Sequence, residues 1–207
     1  MRLHDYAASG NCYKVRLLLA LLGCDYERVA VDIFAGDTLT DAYAALNPVR
    51  ETPVLELDSG ATIAQSGAIL WYLAEGTPYL PGGRLERAHV LQWLAFEQER
   101  VMGGIGGARF RRLTGRRELP GRLEIGAQAL ELLDEHLRER EWLVAGSPSI
   151  ADIAVYGYAH VAGDVGLEPG EHVRAWFERL RALPGFVDDY ERYPDNARPG
   201  AGRSIYG

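Results

Sequence analysis

Cysteine is nearly absent, with Cys12 and Cys24 the only two in 207 residues. Two thiols are too few for a disulfide framework or a cysteine-built zinc site. They stand twelve positions apart on what reads as one helix, a separation of ~18 Å at 1.5 Å per residue, so they do not pair with each other. Long apolar runs are missing too. Nothing approaches the ~18 residues of a membrane span, and the run from Leu17 to Leu22 is closed by Arg16 and Gly23. Net positive charge is also lacking, since 22 Lys and Arg stand against 29 Asp and Glu; the balance of -7 argues against general nucleic-acid binding through clustered cations. His4, His89, His136, His160 and His172 show no close metal-ligand spacing, so no metal is expected. The opening Met-Arg-Leu-His-Asp-Tyr has no apolar core of signal-peptide length, and the expectation is a cytoplasmic protein.

What is there suits a folded protein with a sizeable core: 47% of residues are hydrophobic and 25% charged. The length fits one large domain or two small ones. Arg2 to Tyr6 reads as a short strand, and Ala8-Ser9-Gly10-Asn11 as a tight reversal into a helix. That helix carries Val15, Leu18, Leu19 and Leu22 at helical spacing and stops at Gly23. A second strand follows over 26–33, then a short helical stretch that Asn47-Pro48 ends. Thr52 to Leu57 reads as a strand opening on proline, turning at Asp58-Ser59-Gly60 into Ala61 to Ile63, and Gln65-Ser66-Gly67 begins a further helix. The order β-α-β-α-β-β-α over the first eighty or so residues defines an α/β unit.

Gly76 to Arg84, with Pro78, Pro81, Gly82 and Gly83, reads as a linker. Beyond it the pattern is helical, over about 85–102, 123–138, 150–165 and 172–182. Ser149 and Asp152 have the spacing of a helix-capping box, a structural feature. Gly103-Gly104-Ile105-Gly106-Gly107 should break or loosen its helix, because glycine costs about 1 kcal/mol against alanine in a helix interior. A phosphate-loop reading of these glycines fails, since no strand precedes them and no Gly-Lys-Ser/Thr follows. Arg109, Arg111, Arg112, Arg116 and Arg117 read as a solvated basic face, with attraction of an anionic substrate to the site mouth as the alternative, and the tail from Pro194 as loosely held coil.

Three segments together resemble the glutathione transferase superfamily, over nearly the whole chain. Ser9-Gly10-Asn11-Cys12-Tyr13-Lys14-Val15-Arg16 is similar to the catalytic turn and first helix of its serine-type and bacterial classes. Leu46-Asn47-Pro48 with Thr52-Pro53-Val54-Leu55 is similar to the segment bearing the superfamily's cis-proline, and Gln65-Ser66-Gly67-Ala68-Ile69-Leu70 to its γ-glutamyl-binding motif. The resemblance implies a thioredoxin-like amino-terminal domain with a mixed four-stranded sheet, over 1–77, followed by an all-helical bundle over 85–200 that receives the second substrate.

It also implies glutathione as co-substrate, without a metal, and a homodimer. The thiolate is the nucleophile, and a helix N-terminus favours negative charge. Ser9 then donates to the sulfur; Asn11, whose amide also donates, competes for that role, and Ser-x-Asn resembles the turn of the nu class, whose members reduce disulfides. Cys12 stands three residues past the position a catalytic cysteine would occupy and reads as a small packed residue, Cys24 as core. Thr52, before the expected cis-Pro53, offers its backbone to the cysteinyl group, and Gln65 and Ser66 hold the γ-glutamyl end. Where many relatives carry Lys or Gln for the glycine carboxylate this chain has Glu51, so either Arg50 takes over or glutathione binds weakly. Trp93, Phe96, Met102 and Phe110 are candidates for the hydrophobic wall, Trp93 rather for the core. The expected activity is conjugation of glutathione to small hydrophobic electrophiles. Glutathione-dependent disulfide reduction and a non-catalytic binding or regulatory role are the alternatives.

Overall fold

In the computed structural model, which describes residues 1–206, four short strands form one mixed sheet in the order β2-β1-β3-β4. Strand β1 (Arg2–Asp5) pairs in parallel with β2 (Glu27–Ala30), His4 opposite Val29. Its other edge pairs antiparallel with β3 (Val54–Glu56), which forms a hairpin with β4 (Thr62–Ala64). The parallel pair needs a crossover, and helix α1 (Gly10–Leu21) supplies it. A 3₁₀ turn (Asp37–Leu39) and helix α2 (Asp41–Leu46) connect β2 to β3, and α3 (Ser66–Ala74) follows the hairpin. This is the expected thioredoxin-like order, with the strands trimmed at their ends. The Thr52–Pro53 peptide is cis.

Helix α1 departs from the single apolar face read from its spacing. Leu17, Leu18 and Leu19 are all fully buried, with Val15. The cause is its position between two layers: Val15 and Leu19 pack with Leu3, Leu55 and Ile69 under the sheet, while Tyr13, Leu17 and Leu18 belong to the core of the helical half. A helix buried on all sides must neutralise its charges internally. Arg16 does so with Asp5 at 2.6 Å and Asp189 at 2.9 Å. Cys24 is half-buried at the rim of the core beneath the sheet, because Gly23 (φ 61°) turns the chain after α1.

The helical half comprises α4 (Arg84–Phe96), a π-helical stretch (Glu97–Gly106), α5 (Gly107–Leu113), α6 (Arg122–Leu137), α7 (Ile150–Ala159) and α8 (Glu171–Arg181). The glycine run therefore loosens the helix without breaking it. Its glycines serve close packing: a Cβ on Gly104 would lie 2.5 Å from the Gly126 backbone nitrogen, and one on Gly106 2.8 Å from the Tyr158 ring. The capping box forms as read, with Ser149 and Asp152 bonded reciprocally at the start of α7.

Two further expectations are corrected. Arg109 does not lie on a solvated face; it is buried, donating to Asp164 at 2.6 Å and to the Tyr190 hydroxyl at 3.0 Å. The tail is tied down rather than loose. Asn196 donates to Asp32 at 2.7 Å, the Arg203 N–H to the Phe34 carbonyl at 2.7 Å, and Tyr206 packs on Phe110 with ring centroids 5.3 Å apart. Among the described residues no helix is long and apolar enough to cross a membrane.

Candidate active site

The turn after β1 places Ser9 as N-cap of α1, where its Oγ accepts from the Cys12 N–H at 3.4 Å. Capping uses a lone pair of the hydroxyl, so its O–H remains available to donate. Gly10 is required next: a Cβ there would stand 2.5 Å from the Tyr158 ring. The chain can thus approach α7 closely and hold Ser9 and Asn11 against the helical half.

Ser9 and Asn11 open onto a cavity of about 260 Å³ between the two halves. Glu51, Thr52 and Gln65 line it from the sheet side, and Met102, Phe110 and Tyr158 from the helices, with Tyr193 and Tyr206 from the tail. Among its described lining residues Glu51 is the one charged side chain. A larger hollow of about 660 Å³ by Arg2, Tyr26 and Asp58 offers no comparable donors. Its cations are already paired, the Met1 amino group with Asp58 and Arg2 with Glu56.

The Thr52 backbone N–H and C=O make no hydrogen bond to other described residues, since the ladder to β1 begins at Val54. They form a free edge at the cavity. Gln65, the residue before α3, has φ 72°, a left-handed conformation that strains a non-glycine residue and is typical of functional sites. Ser66 is buried at the first turn of α3, where N–H groups lack intrahelical partners. Its Oγ lies 3.3 Å from Asn11 Oδ1.

Of the residues singled out from the sequence, Ser9, Asn11, Glu51, Thr52 and Gln65 line the cavity, with Pro53 and Ser66 directly adjoining in the chain. Arg50 is not brought there. Its guanidinium donates to the Thr38 and Thr40 carbonyls at 2.9 and 3.0 Å, and Arg50 itself sits at φ 61°. Met102 and Phe110 line the cavity as expected. Trp93 lies in the core as read, packed against His136, and Phe96 packs on it rather than on the cavity.

Cys12 is fully buried, its Sγ 3.4 Å from the Tyr6 N–H, and burial pushes its thiol up to about 12. A thiol so held is protonated at neutral pH and no nucleophile. Burial likewise raises the Tyr6 and Tyr158 phenols, and raises Tyr206 to about 12, so the cavity's hydroxyls stay protonated as neutral donors. Tyr6, Gln98, Tyr158, Tyr193 and Tyr206 were not found from sequence. They come from four separated segments, Tyr193 and Tyr206 sharing the last, and no local pattern links them.

Residues 8–75 match the family model of the glutathione S-transferase N-terminal domain, and residues 118–184 that of the C-terminal domain. A solved structure of a possible glutathione S-transferase from Rhodopseudomonas palustris is 40% identical with a TM-score of 0.86, covering 93% of this chain and 98% of that one. The chain belongs to the glutathione S-transferase superfamily. Within the superfamily, similar proteins carry different activities in their names. The maleylacetoacetate isomerase of Pseudomonas aeruginosa is 29% identical over 207 residues, 90% of this chain and 93% of its own length. The disulfide-bond oxidoreductase YfcG of Escherichia coli is 29% identical over 198 residues, 86% of this chain and 89% of its own.

Proposed function

We propose that the protein is a cytoplasmic glutathione transferase that conjugates glutathione to small, neutral, hydrophobic electrophiles. The observation that carries this reading is the pairing of two thiolate donors, Ser9 Oγ and the Asn11 amide, with an apolar wall of Met102, Phe110 and Tyr158 across one cavity. Glutathione lies along the Thr52 edge. Its γ-glutamyl carboxylate meets the N-terminus of α3 at Gln65 and Ser66, and its sulfur meets the N-terminus of α1. Both helix ends favour the negative charge placed there.

The thiol proton leaves to solvent, and the sulfur lone pair attacks an electrophilic carbon. A C–S bond forms while the leaving group departs with its electron pair or a conjugated acceptor takes the pair up. Thiolate stabilisation and positioning are the catalytic terms. A neutral electrophile is favoured because the described lining residues include no cation to attract an anionic one and one carboxylate, Glu51, to repel it. With Arg50 engaged elsewhere, glutathione is expected to bind weakly at its glycine end.

Glutathione-dependent disulfide reduction is the second reading, supported by Asn11 facing the cavity in a Ser-x-Asn turn and by the name of the Escherichia coli relative. Assays with glutathione and either an aryl halide or a small model disulfide separate the two: turnover of the disulfide alone would overturn conjugation. Calorimetry with millimolar glutathione tests both, and absence of heat and of any thermal shift would leave a non-catalytic binding protein. We also propose a homodimer, supported by the exposed Tyr72 of α3 and Leu85 and Leu91 of α4; sedimentation at the monomer mass would exclude it.

A further inference from the structure

Lys14 lies one helical turn beyond Asn11 on α1 and is completely buried. Its ammonium donates to Asn11 Oδ1 at 2.8 Å and to Glu97 Oε1 at 2.7 Å, and sits 4.8 Å from the centre of the Tyr158 ring. Gln98 Nε2 completes the group, donating to Glu97 Oε2 at 2.8 Å and reaching Asn11 Oδ1 at 3.4 Å. Space for the lysine stem comes from Gly157 of α7, where a Cβ would stand 2.5 Å from Lys14 Cγ. A charged pair so buried is poor cement, because desolvation offsets most of its attraction. The arrangement calls for a use other than joining α1 to the helical half.

An ammonium only donates hydrogen bonds, so the Asn11 atom facing it must be the carbonyl oxygen. The amide nitrogen is thereby turned away from Lys14, and it has no acceptor among the described residues while Asn11 lines the cavity. Without Lys14 the carboxamide could flip and present an oxygen to the sulfur. The cation behind the carbonyl also withdraws electron density from the amide, which strengthens its N–H as a donor to an anion.

We propose that Lys14, held by Glu97, is a positioning residue for thiolate formation: it fixes and polarises the Asn11 carboxamide so that the N–H faces the substrate sulfur. This rests on the reading that glutathione places its thiol beside Asn11. The test is the acidity of the bound glutathione thiol, followed by thiolate absorbance in the wild type, in K14M/E97Q, in K14M/E97L, in N11A and in K14M/E97Q/N11A. Removing both charges together avoids stranding one of them in the core.

Below the pKa of the bound thiol, where the thiol form is what binds, the pair variants are expected to keep the Kd for glutathione, because Lys14 touches no part of it, and to lose about one pK unit of thiol acidification, roughly tenfold in thiolate at a given pH in that range. In the N11A background the same pair change should do nothing further. A role confined to packing would shift the melting temperature and leave thiol acidity alone. Wild-type acidity in a folded pair variant overturns the inference, as does an equal effect with and without Asn11. If neither pair variant folds, the pair is a requirement of the fold and the inference is likewise lost. A wild-type protein whose bound glutathione is no more acidic than in solution overturns the proposed function itself, which keeps the two failures distinct.

Discussion

The indole N–H of Trp176 on α8 donates to Asp152 Oδ1 of α7 at 3.0 Å, inside a core where both residues are fully buried. Asp152 also accepts from the Leu143 N–H at 2.9 Å, the Ser149 N–H at 2.9 Å and the Ser149 hydroxyl at 3.0 Å. One carboxylate thus satisfies four donors and ties the loop before α7, the cap of α7 and α8 together. Replacing it with alanine strands several of those donors in the core, each at a cost of about 1–3 kcal/mol. D152A is expected to lose about 3–5 kcal/mol of stability by urea unfolding, and W176F, which frees a single acceptor site and keeps most of the ring, about 1–2 kcal/mol. Equal losses would show that indole packing, not the carboxylate hub, holds the helices.

Ser9 and Asn11 differ in how firmly each is held. Among the described residues the Ser9 hydroxyl is held only by Cys12, whose N–H reaches it at 3.4 Å and whose thiol it also contacts, whereas a cation, Lys14, fixes the Asn11 amide at 2.8 Å. A hydrogen bond to a charged group contributes about 1.5–3 kcal/mol, so removal of either donor should lower the conjugation rate roughly tenfold to a hundredfold. Asn11 is expected to give the larger loss. N11D is the sharper variant, because it keeps the shape and the contact to Lys14 but puts an anionic oxygen where the N–H was. Its kcat/KM is expected to fall at least as far as that of N11A with the melting temperature held. An S9A protein that loses all turnover while N11D keeps most of it would reverse the assignment.

The order of strands and helices was legible because Gly23, Pro48, Pro53 and Gly60 punctuate segments whose apolar periods are clear. The turn at Ser9-Gly10-Asn11 was legible for the same local reason. Lys14 and Arg16 were not: a charge in an apolar helix reads as its solvent face, and the partner that buries Lys14, Glu97, lies 83 positions away. The glycine run read as a break or a loosening of its helix and not as a packing surface, because Gly126 and the Tyr158 ring, which require it, come from other helices. On its position in the chain Arg50 could either serve the cavity or leave the glycine end of glutathione weakly held. Its own left-handed backbone and the carbonyls of Thr38 and Thr40 take it elsewhere.

At the glycines of the π-helical stretch close packing and helix propensity act in opposite directions. Alanine in a helix interior gains about 1 kcal/mol over glycine when nothing else changes. At Gly104 a Cβ would meet the Gly126 nitrogen at 2.5 Å and its Cα at 2.7 Å, both backbone atoms that cannot turn aside. At Gly107 the nearest atom is the Met102 carbonyl oxygen at 3.6 Å, an ordinary contact. G104A is therefore expected to destabilise by about 1–3 kcal/mol despite its better propensity, and G107A to be neutral or stabilising by up to about 1 kcal/mol. At about 2–4 °C per kcal/mol for a chain of this size, thermal melting resolves the pair. A G104A protein as stable as G107A would mean that α6 can slide away from the π-helical stretch.

His160 ends α7 with Nδ1 2.6 Å from the Tyr156 carbonyl oxygen and its ring stacked on Tyr156 at 4.7 Å. Burial lowers it to about 4 from an ordinary 6.5, the carbonyl contact working against that shift. The folded state therefore disfavours the protonated ring, and the contribution of the neutral ring is intact above about 6.5 and lost as pH falls toward about 4. Below both values the loss levels off. Asp152, raised to about 6 chiefly by burial, has the opposite sign, its protonation favouring the folded state as pH falls through the same window. The absolute pH profile mixes the two, so the informative quantity is the difference between wild type and H160Q, in which Asp152 cancels. Wild type is expected to lose stability relative to H160Q by about 2–3 kcal/mol at most between pH 7 and pH 4. Parallel curves from urea unfolding across that range would show that His160 protonates in the folded protein as readily as in the unfolded chain.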